Sequence, residues 1–342
     1  MIRAGHIAQH GPATRPAETT ERHVQILVTG AAGFIGSHLC ERLVDRGDAV
    51  VGIDNFDPLY DHRLKEENLA GILHDPQFAF FRTDLRDAAA LGTWWQEHGG
   101  EFDAVVHLAA RAGVRPSIED PLGYEQANIA ATMNLLERLV TYSHRPRLVF
   151  GSSSSVYGNK ETVPFAESDP VDHPISPYAA TKKACELICH TYHHLYNLPV
   201  FALRFFTVYG PRQRPDLAIH KFTARILRGE SIDVFGDGTT SRDYTYIDDI
   251  IDGVVTAVDR CEGYEVINLG SHTPVTLSDM IAAIEAACGQ DATINRLPVQ
   301  PGDVDRTFAD VGKAQCLLDY APSMDFRQGV QNFVDWYRAR LL

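Results

Sequence analysis

A glycine-rich turn stands between a short apolar segment and a helical segment near the start of the chain. Residues 24–29 have the composition of a buried strand, and a helical pattern follows over 37–46. Between them lie Gly30, Gly33 and Gly36, which permit a tight turn and a close approach of another molecule to the backbone. A strand, this turn and a helix N-terminus together predict a βαβ unit that can hold a pyrophosphate.

Further short apolar segments follow, with helical patterns between most of them. They lie at 49–54, 78–82, 104–108, 147–151 and 200–204. This alternation predicts the α/β class, with a Rossmann-type doubly wound parallel sheet covered by helices on both faces. After about residue 205 the sequence becomes irregular and rich in Gly, Pro, Arg and Asp. We therefore predict a smaller mixed α/β substrate-binding domain in the second half.

The length of 342 residues is enough for two folding units. Residues 1–23 lack apolar periodicity and the apolar core of a signal peptide, so we predict a flexible N-terminal extension there. We predict a dinucleotide-binding domain over 24–205 and a mainly substrate-binding domain over 206–342. Within the second half, 243–270 is expected to pack back on the first sheet.

The charge balance excludes several kinds of partner. The chain has 31 Lys and Arg against 45 Asp and Glu, a formal net charge of −14, whereas a nucleic-acid surface needs a basic face. No stretch approaches the roughly 18 consecutive apolar residues of a membrane span. The six cysteines form no Cys-x-x-Cys pair and are interpreted as reduced thiols. We expect a cytoplasmic protein without nucleic-acid or membrane partners.

An acidic residue indicates which dinucleotide the turn would take. Asp54 ends the strand that follows the turn, 18 residues beyond Gly36. A carboxylate there can bind both ribose hydroxyls and repels a 2′-phosphate, which favours NAD over NADP. The remaining predicted NAD contacts are Phe34, Ile35 and Asn55, then Asp84 and Leu85 at the adenine edge, then Leu108, Ala109 and Ala110 beside the nicotinamide. For these last two segments, a plain strand end is the alternative interpretation.

Tyr178 and Lys182 carry the strongest chemical signal. Four positions apart on a predicted helix, their side chains share one face. A lysine ammonium and an oxidised nicotinamide would lower the pKa of the phenol from about 10, so that it can act as a general base near neutral pH. The serine run 152–155 follows a strand and supplies hydroxyls to bridge a reacting oxygen. A Tyr-x-x-x-Lys spacing alone is common on helices, but the glycine turn and serine run make chance a poor explanation.

At this point the chain resembles the extended short-chain dehydrogenase/reductase superfamily, and within it the nucleotide-sugar epimerases. The segments GAAGFIGSHL, HLAA, SSSSVYG, SPYAATK, RFFTVYGPRQRPD and FGDGTTSRDYTYIDD occur in that family's order. The resemblance implies a catalytic triad of Ser153, Tyr178 and Lys182. Tyr178 would take the proton of the sugar 4-hydroxyl while tightly held NAD oxidises C4. The 4-keto sugar would then rotate and be reduced on its other face.

One position distinguishes the reactions of this superfamily. Related 4,6-dehydratases and uronate decarboxylases carry a glutamate two residues before the tyrosine of the Val-Tyr-Gly segment, where this chain has Ser155. The departure disfavours dehydration and, less decisively, decarboxylation. Epimerisation remains as the preferred reaction.

The segment after residue 206 indicates the sugar. Neutral-sugar 4-epimerases usually carry Asn at the position of Thr207, whereas the run from Thr207 to Asp216 looks like the UDP-glucuronate 4-epimerases. Arg214 is then the candidate clamp for the C6 carboxylate, and Thr207 could add a hydroxyl donor. A 4-keto uronate is a β-keto acid, so pinning its carboxylate would protect it from loss of CO₂. The alternative is that Arg212 and Arg214 only rim the cleft or bind the diphosphate.

The resemblance also implies contacts to the rest of a UDP-sugar. The family places Lys221 and Phe222, then Val234, Phe235 and Gly236, around the base, with Arg242 and Arg306 on the phosphates and Asp303 near the ribose or phosphate. Ser154, Ser155 and Arg115 complete the predicted substrate-binding set. Surface salt bridges are the alternative interpretation for Arg242 and Arg306, and a helix cap for Arg115.

Other readings of the chain stay open at this stage. A 4-epimerase of a neutral or N-acetylated UDP-hexose is the main alternative, followed by a decarboxylase or dehydratase and by a non-catalytic nucleotide sensor. His190, His193 and His194 share a helix without a matching acid, so we predict no metal site. The resemblance implies a homodimer built from helices around 124–141 and 178–194, although their apolar faces could equally be core.

Overall fold

The computed structural model describes residues 24–298 and 305–341. The predicted extension over 1–23 and the candidate Asp303 lie outside these residues. The strands are β1 Gln25–Thr29, β2 Ala49–Asp54, β3 Phe78–Arg82, β4 Ala104–His107, β5 Arg147–Ser153, β6 Val200–Phe205, β7 Thr207–Tyr209, β8 Ile232–Phe235, β9 Ser241–Tyr246, β10 Tyr264–Leu269, β11 Pro274–Thr276 and β12 Ile294–Leu297.

The helices lie between most of these strands. They are α1 Phe34–Arg46, α2 His62–Leu69, α3 Ala88–His98, α4 Val114–Glu119, α5 Pro121–Tyr124, α6 Ala131–Leu139, α7 Pro177–Tyr196, α8 Ala218–Leu227, α9 Ile247–Arg260, α10 Leu277–Cys288, α11 Gly312–Leu318 and α12 Phe326–Leu341. A π-helical stretch, Glu125–Ala130, joins α5 to α6, and a 3-10 turn, Ser154–Tyr157, follows β5.

Seven strands form one parallel sheet in the order β3-β2-β1-β4-β5-β6-β10. The order reverses between β1 and β4, and in sheets of this kind ligands bind outside the carboxyl ends of the strands at that point. The predicted Rossmann-type parallel sheet is confirmed. The predicted strand bounds agree with the observed ones within two residues, because buried parallel strands have continuous apolar sequences that are easily recognised.

Helices on the two faces of the sheet bury two hydrophobic clusters. One contains Leu39 and Leu43 of α1 and Val254 of α9, and the other contains Leu135 of α6 and Cys189 of α7. The helix α1 begins at Phe34, three residues earlier than the pattern predicts. The turn spans only Gly30 to Gly33, whose backbone nitrogen donates a hydrogen bond to the carbonyl oxygen of Gly30. Thus α1 and α7, which carry the main motifs, lie on opposite faces of one sheet.

The chain after β6 builds two small sheets beside the large one. The strands β7, β9 and β11 form one, and β8 and β12 form the other. The helix α9 contacts β4, β5 and β6, while β10 extends the seven-stranded sheet beyond β6. The division at residue 205 into two domains stays a prediction. Within the two described ranges, no helix combines the length and apolarity needed to cross a bilayer.

Candidate active site

A cavity of about 470 Å³ opens at the carboxyl ends of the central strands. It brings together most of the residues singled out from the sequence. Those that line it are Gly30, Gly33, Phe34, Ile35, Gly36, Asp54, Asn55, Asp84, Leu85, Leu108, Ala109, Ala110, Ser153, Ser154, Ser155, Tyr178, Lys182, Thr207 and Arg214. The predicted residues outside its lining are Arg115, Lys221, Phe222, Val234, Phe235, Gly236, Arg242 and Arg306.

The glycine turn leaves the N-terminus of α1 open to this cavity. Gly33 is the N-cap residue, and no side chain caps the helix. Gly30 has a φ of 74°, and a Cβ there would lie 2.7 Å from the backbone nitrogen of Ala109. Only glycine therefore allows the turn to approach β4 this closely, and the uncapped N–H groups remain available for an anion.

Asp54 lies at the end of β2 and is buried. One carboxylate oxygen accepts a hydrogen bond of 2.8 Å from the backbone nitrogen of Phe56, and the other accepts one of 3.3 Å from Ala32. The ammonium of Lys65, on α2, lies 3.4 Å from the first oxygen. Lys65 therefore compensates the negative charge of Asp54, the carboxylate predicted to bind the ribose.

Asp84 lines the cavity and accepts hydrogen bonds from two neighbouring side chains. Arg86 donates to both of its carboxylate oxygens, and the side-chain nitrogen of Asn55 donates to one at 3.1 Å. Partial burial acts to raise the pKa of Asp84, but these hydrogen bonds outweigh it and lower the pKa to about 2. Asp84 is therefore ionised and held in one orientation.

Tyr178 lies in the first turn of α7. Ser176 caps this helix by accepting a hydrogen bond of 3.1 Å from the backbone nitrogen of Ala179, and Pro177 occupies its first position. Burial raises the pKa of the Tyr178 phenol, while Ser153 and the charge of Arg214 act to lower it. The phenol thus lies next to a serine hydroxyl and near a guanidinium.

Lys182 lies one helical turn after Tyr178 on α7 and is buried. Its ammonium donates a hydrogen bond of 2.7 Å to the carbonyl oxygen of Gly151 and lies 5.0 Å from the centre of the Phe150 ring. Burial lowers the pKa of Lys182 to about 8. Burial raises the pKa of Tyr178 and the charge of Arg214 opposes that rise, so Arg214 is a cation near the phenol that the sequence did not single out for this effect. The combined effect of Lys182 and an oxidised nicotinamide on this pKa stays a prediction.

The serine run splits into two roles. Ser152 also lines the cavity, but its hydroxyl donates a hydrogen bond of 2.7 Å to Glu186, which forms a buried two-point pair with Arg204. Ser153 caps the 3-10 turn by accepting from the backbone nitrogen of Ser155 at 3.2 Å. The turn keeps Ser153, Ser154 and Ser155 at the cavity wall, and Ser153 interacts with the phenol of Tyr178.

Arg214 enters the same cavity from the loop after β7. Its Nε and Nη2 donate to the two carboxylate oxygens of Asp216 at 3.0 and 2.8 Å, and Nη2 also donates to the carbonyl oxygen of Ala112 at 3.2 Å. The Arg214 side chain is only 15% exposed. Thr207, at the start of β7, lies on the same wall. The loop itself is anchored by Arg212, which pairs with Glu41 of α1 at 2.7 Å.

Some of the residues predicted to bind a nucleotide have side chains that could reach a ligand, and others are buried in the core. The guanidinium of Arg115 lies 5.0 Å from the centre of the Phe235 ring, although 120 positions separate the two in sequence. Residue 306 forms a β-bridge with Ser241, the neighbour of Arg242, so the backbones that carry the two predicted phosphate ligands lie close together. The side chains of Phe222 and Val234 are buried in the core, which leaves only their backbone for a ligand. Lys221 is exposed on α8, and Gly236 follows β8 directly.

The sequence was also compared with models of known protein families. A family model described as GDP-mannose 4,6 dehydratase matches residues 27–333. The chain belongs to this family. This is a family of NAD-dependent epimerases and dehydratases, and similar proteins include UDP-glucuronate 4-epimerases.

Three relatives show the extent of the similarity. The chain is 42% identical over 316 residues to the UDP-glucuronate 4-epimerase of Thermodesulfobacterium geofontis, covering 92% of this chain and 96% of the relative. The crystal structure of UDP-glucuronic acid 4-epimerase from Bacillus cereus, in complex with UDP-glucuronic acid and NAD, is 40% identical with a TM-score of 0.86, covering 92% and 99%. UDP-glucose 4-epimerase from Thermotoga maritima with UDP-glucose is 31% identical with a TM-score of 0.84, covering 93% and 100%.

Several residues at the site carry no motif that sequence reasoning could use. Lys65 and Tyr60 reach the cavity from the segment around α2, and Arg111 reaches it from the loop after β4. Asn128, in the π-helical stretch, binds both the backbone nitrogen and the carbonyl oxygen of Arg111 at 2.8 and 3.0 Å. Only their charge or polarity was visible in the sequence, because their contacts depend on how distant segments meet.

His107 has a structural role and is not among the residues that line the cavity. His107 at the end of β4 lies between the hydroxyls of Thr29 and Thr132 at 2.7 and 2.9 Å, and burial lowers its pKa to about 3. Within 24–298 and 305–341, no group of three or more His, Cys, Asp or Glu side chains is arranged to hold a metal ion.

Proposed function

We propose that this protein is a UDP-glucuronate 4-epimerase that retains NAD. The observation that carries the proposal is the placement of a mostly buried guanidinium, Arg214, in the cavity that also contains Tyr178 and Ser153. A uronate brings a carboxylate into such a cavity, and a neutral hexose does not. Relatives with this activity match nearly the whole chain.

The residues at the glycine turn fit an NAD molecule. The open N-terminus of α1 offers N–H groups and a positive dipole end to a pyrophosphate. Asp54 is fixed at the end of β2, where a dinucleotide ribose would lie, and disfavours a 2′-phosphate. Asp84 and Leu85 would contact the adenine, and Leu108, Ala109 and Ala110 would line the nicotinamide side.

In the proposed reaction, the chain's own residues move a proton at the sugar O4. When bound, NAD supplies the transient oxidation of C4. The phenolate of Tyr178 accepts the proton of the 4-hydroxyl and returns it when the carbonyl is reduced, and Ser153 donates a hydrogen bond to the same oxygen. Lys182 holds α7 against β5, which keeps Tyr178 and Ser153 next to each other.

Arg214 has a second role in this reaction. The oxidised sugar is a 4-keto uronate, which loses CO₂ when its C5–C6 bond aligns with the carbonyl π system. A guanidinium that binds the carboxylate, with Thr207 beside it, fixes the position of C6 relative to the C4 carbonyl and so sets the torsion about C4–C5. This keeps the C5–C6 bond out of alignment with the π system. The absence of an acid at Ser155 agrees with epimerisation rather than dehydration.

The nucleotide would extend from the cavity toward β8 and β9. Phe235, with the guanidinium of Arg115 lying 5.0 Å from the centre of its ring, would offer an aromatic side chain and a neighbouring positive charge to a pyrimidine base. Arg242 and Arg306, which are carried by neighbouring backbone segments, would supply positive charge to the diphosphate. Lys221 and the backbone at Phe222, Val234 and Gly236 would complete the base site. Ser154, Ser155 and Asp303 remain proposed substrate contacts.

A direct competition tests the proposed substrate. The purified protein is given equal concentrations of UDP-glucuronate and UDP-glucose, and both conversions are followed by proton NMR. The proposal predicts a strong preference for the uronate, and Arg214→Ala should abolish this preference while leaving slow conversion of UDP-glucose. A wild-type preference for UDP-glucose would reject the uronate assignment and favour a neutral-hexose epimerase.

We further propose that the protein is a cytoplasmic homodimer. Large apolar side chains are exposed together on α4 to α7: Ile118, Leu122, Met133, Leu187 and Leu195. Exposed apolar patches of this kind mark protein interfaces, and all six cysteines are free thiols, as expected in a reducing compartment. Light scattering should give twice the mass of the chain for wild type and one mass for Leu187→Glu. Leu73→Glu, at an exposed leucine on another face, should stay dimeric.

A further inference from the structure

We propose that Asp216 is an internal carboxylate that occupies the Arg214 site until the carboxylate of a uronate substrate displaces it. The inference rests on the proposed function and deepens it, because it assigns a source of substrate selectivity to a second residue. It begins from the two-point pair, in which Nε and Nη2 of Arg214 bind the two oxygens of Asp216 at 3.0 and 2.8 Å.

The pair matches the geometry that a substrate carboxylate would adopt. A guanidinium binds a carboxylate best through two parallel N–H donors, and Asp216 takes that edge in this structure. Because Nη2 also donates to the carbonyl oxygen of Ala112, both donors of that nitrogen are engaged. A uronate that binds through the same edge must therefore replace Asp216.

Burial determines which partner can leave. The Asp216 side chain is 41% exposed, whereas the Arg214 side chain is 15% exposed. The Asp216 carboxylate can turn into water and remain solvated. Arg214 cannot follow, and a mostly buried cation without a counter-ion is unfavourable. The pair opens at low cost only when a ligand brings a carboxylate of its own.

Exchange of one carboxylate for another therefore selects among UDP-sugars. A uronate replaces the lost ion pair, so the charge around Arg214 stays balanced. A neutral hexose offers only a hydroxyl at C6 and leaves Asp216 in place. The selectivity costs affinity, since every uronate that binds must first break the Arg214–Asp216 pair.

Binding measurements separate this idea from a purely supporting role for Asp216. The NAD-loaded Tyr178→Phe protein, in which turnover should be slowed by about 10²–10⁴, is titrated calorimetrically with UDP-glucuronate and with UDP-glucose. Adding Asp216→Asn should lower the Kd for UDP-glucuronate about three- to tenfold and leave that for UDP-glucose unchanged. Asp216→Ala, as an independent variant, should shift the two constants in the same way.

A remote ion pair provides the matched control. Asp319 pairs with Arg260 at an exposed position, so Asp319→Asn removes the same charge without touching the cavity. It should change neither Kd. If Asp216→Asn weakens UDP-glucuronate binding, leaves it unchanged, or shifts both ligands alike, the exchange model is wrong.

The same experiment distinguishes the inference from the proposed function. If UDP-glucuronate binds the parent protein and wild type epimerises it, the function stands whatever the Asp216 variants do. If neither binding nor conversion of UDP-glucuronate occurs, both proposals fall together.

Discussion

Lys182 and Gly151 are joined by a hydrogen bond of 2.7 Å between the ammonium and the carbonyl oxygen. Gly151 directly precedes the serine run at the end of β5, and Lys182 lies one turn after Tyr178 on α7. The bond therefore fixes the helix that carries the phenol against the strand that carries the serines. In this structure Lys182 acts as a positioning contact within the site.

The buried ammonium should leave a signature in the pH dependence of stability. The pKa of Lys182 is lowered from 10.5 to about 8 in the folded protein. Between these values the unfolded chain binds the proton more than the folded chain does, so stability should rise with pH across that window. Relative to Lys182→Met, wild type should gain on the order of 2–3 kcal/mol from pH 8 to 10.5, measured by urea denaturation. An unchanged difference between the two proteins would show that Lys182 is not desolvated.

Removing the phenol hydroxyl should separate chemistry from binding. Tyr178→Phe deletes the group that accepts the 4-hydroxyl proton, so kcat should fall by about 10²–10⁴. The Kd for UDP-glucuronate should change little, because the ring remains in place. Tyr196→Phe, at a partly exposed tyrosine on the same helix, is the control and should retain full activity. Near-normal turnover of Tyr178→Phe would assign the proton transfer to another residue.

Two glycines with the same backbone conformation test the close approach at the cofactor turn. Gly30 and Gly229 have φ values of 74° and 69°, but a Cβ at Gly229 meets nothing within 4 Å. Gly229→Ala should cost about 1–2 kcal/mol of stability from backbone strain alone and keep the NAD content. Gly30→Ala should cost more and lower the NAD content measured after purification, since its Cβ would lie 2.7 Å from the backbone of Ala109. If both variants lost the same stability and the same NAD content, backbone strain and not the close contact with Ala109 would explain the effect of Gly30→Ala.

The buried pair of Arg204 and Glu186 should be strongly coupled. Both side chains are about 98% buried, with two contacts of 2.8 Å between them. Glu186→Gln leaves a buried guanidinium without its counter-ion and should cost about 3–5 kcal/mol. The double variant with Arg204→Met should be less destabilised than the sum of the two single variants. Lys183→Gln, which removes only the partly exposed partner of Glu186, should cost less than about 0.5 kcal/mol.

Local patterns were sufficient for the sheet and for the residues that the motifs contain. Asp54 and Tyr178 were singled out because one ends a recognisable strand and the other lies in a spaced motif, whereas Arg214 was singled out from the family resemblance. Their partners were not, because Lys65 reaches Asp54 from a separate helix and carries no signal beyond its charge. The Arg115–Phe235 contact joins segments 120 positions apart, which only the packed fold brings together.

The direction of the Tyr178 pKa illustrates a second limit. Spacing on a helix predicts that Lys182 faces Tyr178, but it contains no information about desolvation. Burial raises the pKa of Tyr178, and Arg214, which lies 36 positions away in sequence, opposes the rise. Desolvation, which depends on how the chain packs and not on spacing along a helix, therefore has the largest effect on the pKa of Tyr178 in this structure.

Isotope tracing at C4 tests the central claim most directly. The purified protein, without added NAD, is incubated in water with UDP-glucuronate carrying deuterium at C4, and the products are followed by NMR. The account predicts UDP-galacturonate that retains deuterium at C4, without release of CO₂. Formation of a UDP-pentose with CO₂, or loss of the deuterium to water, would contradict it.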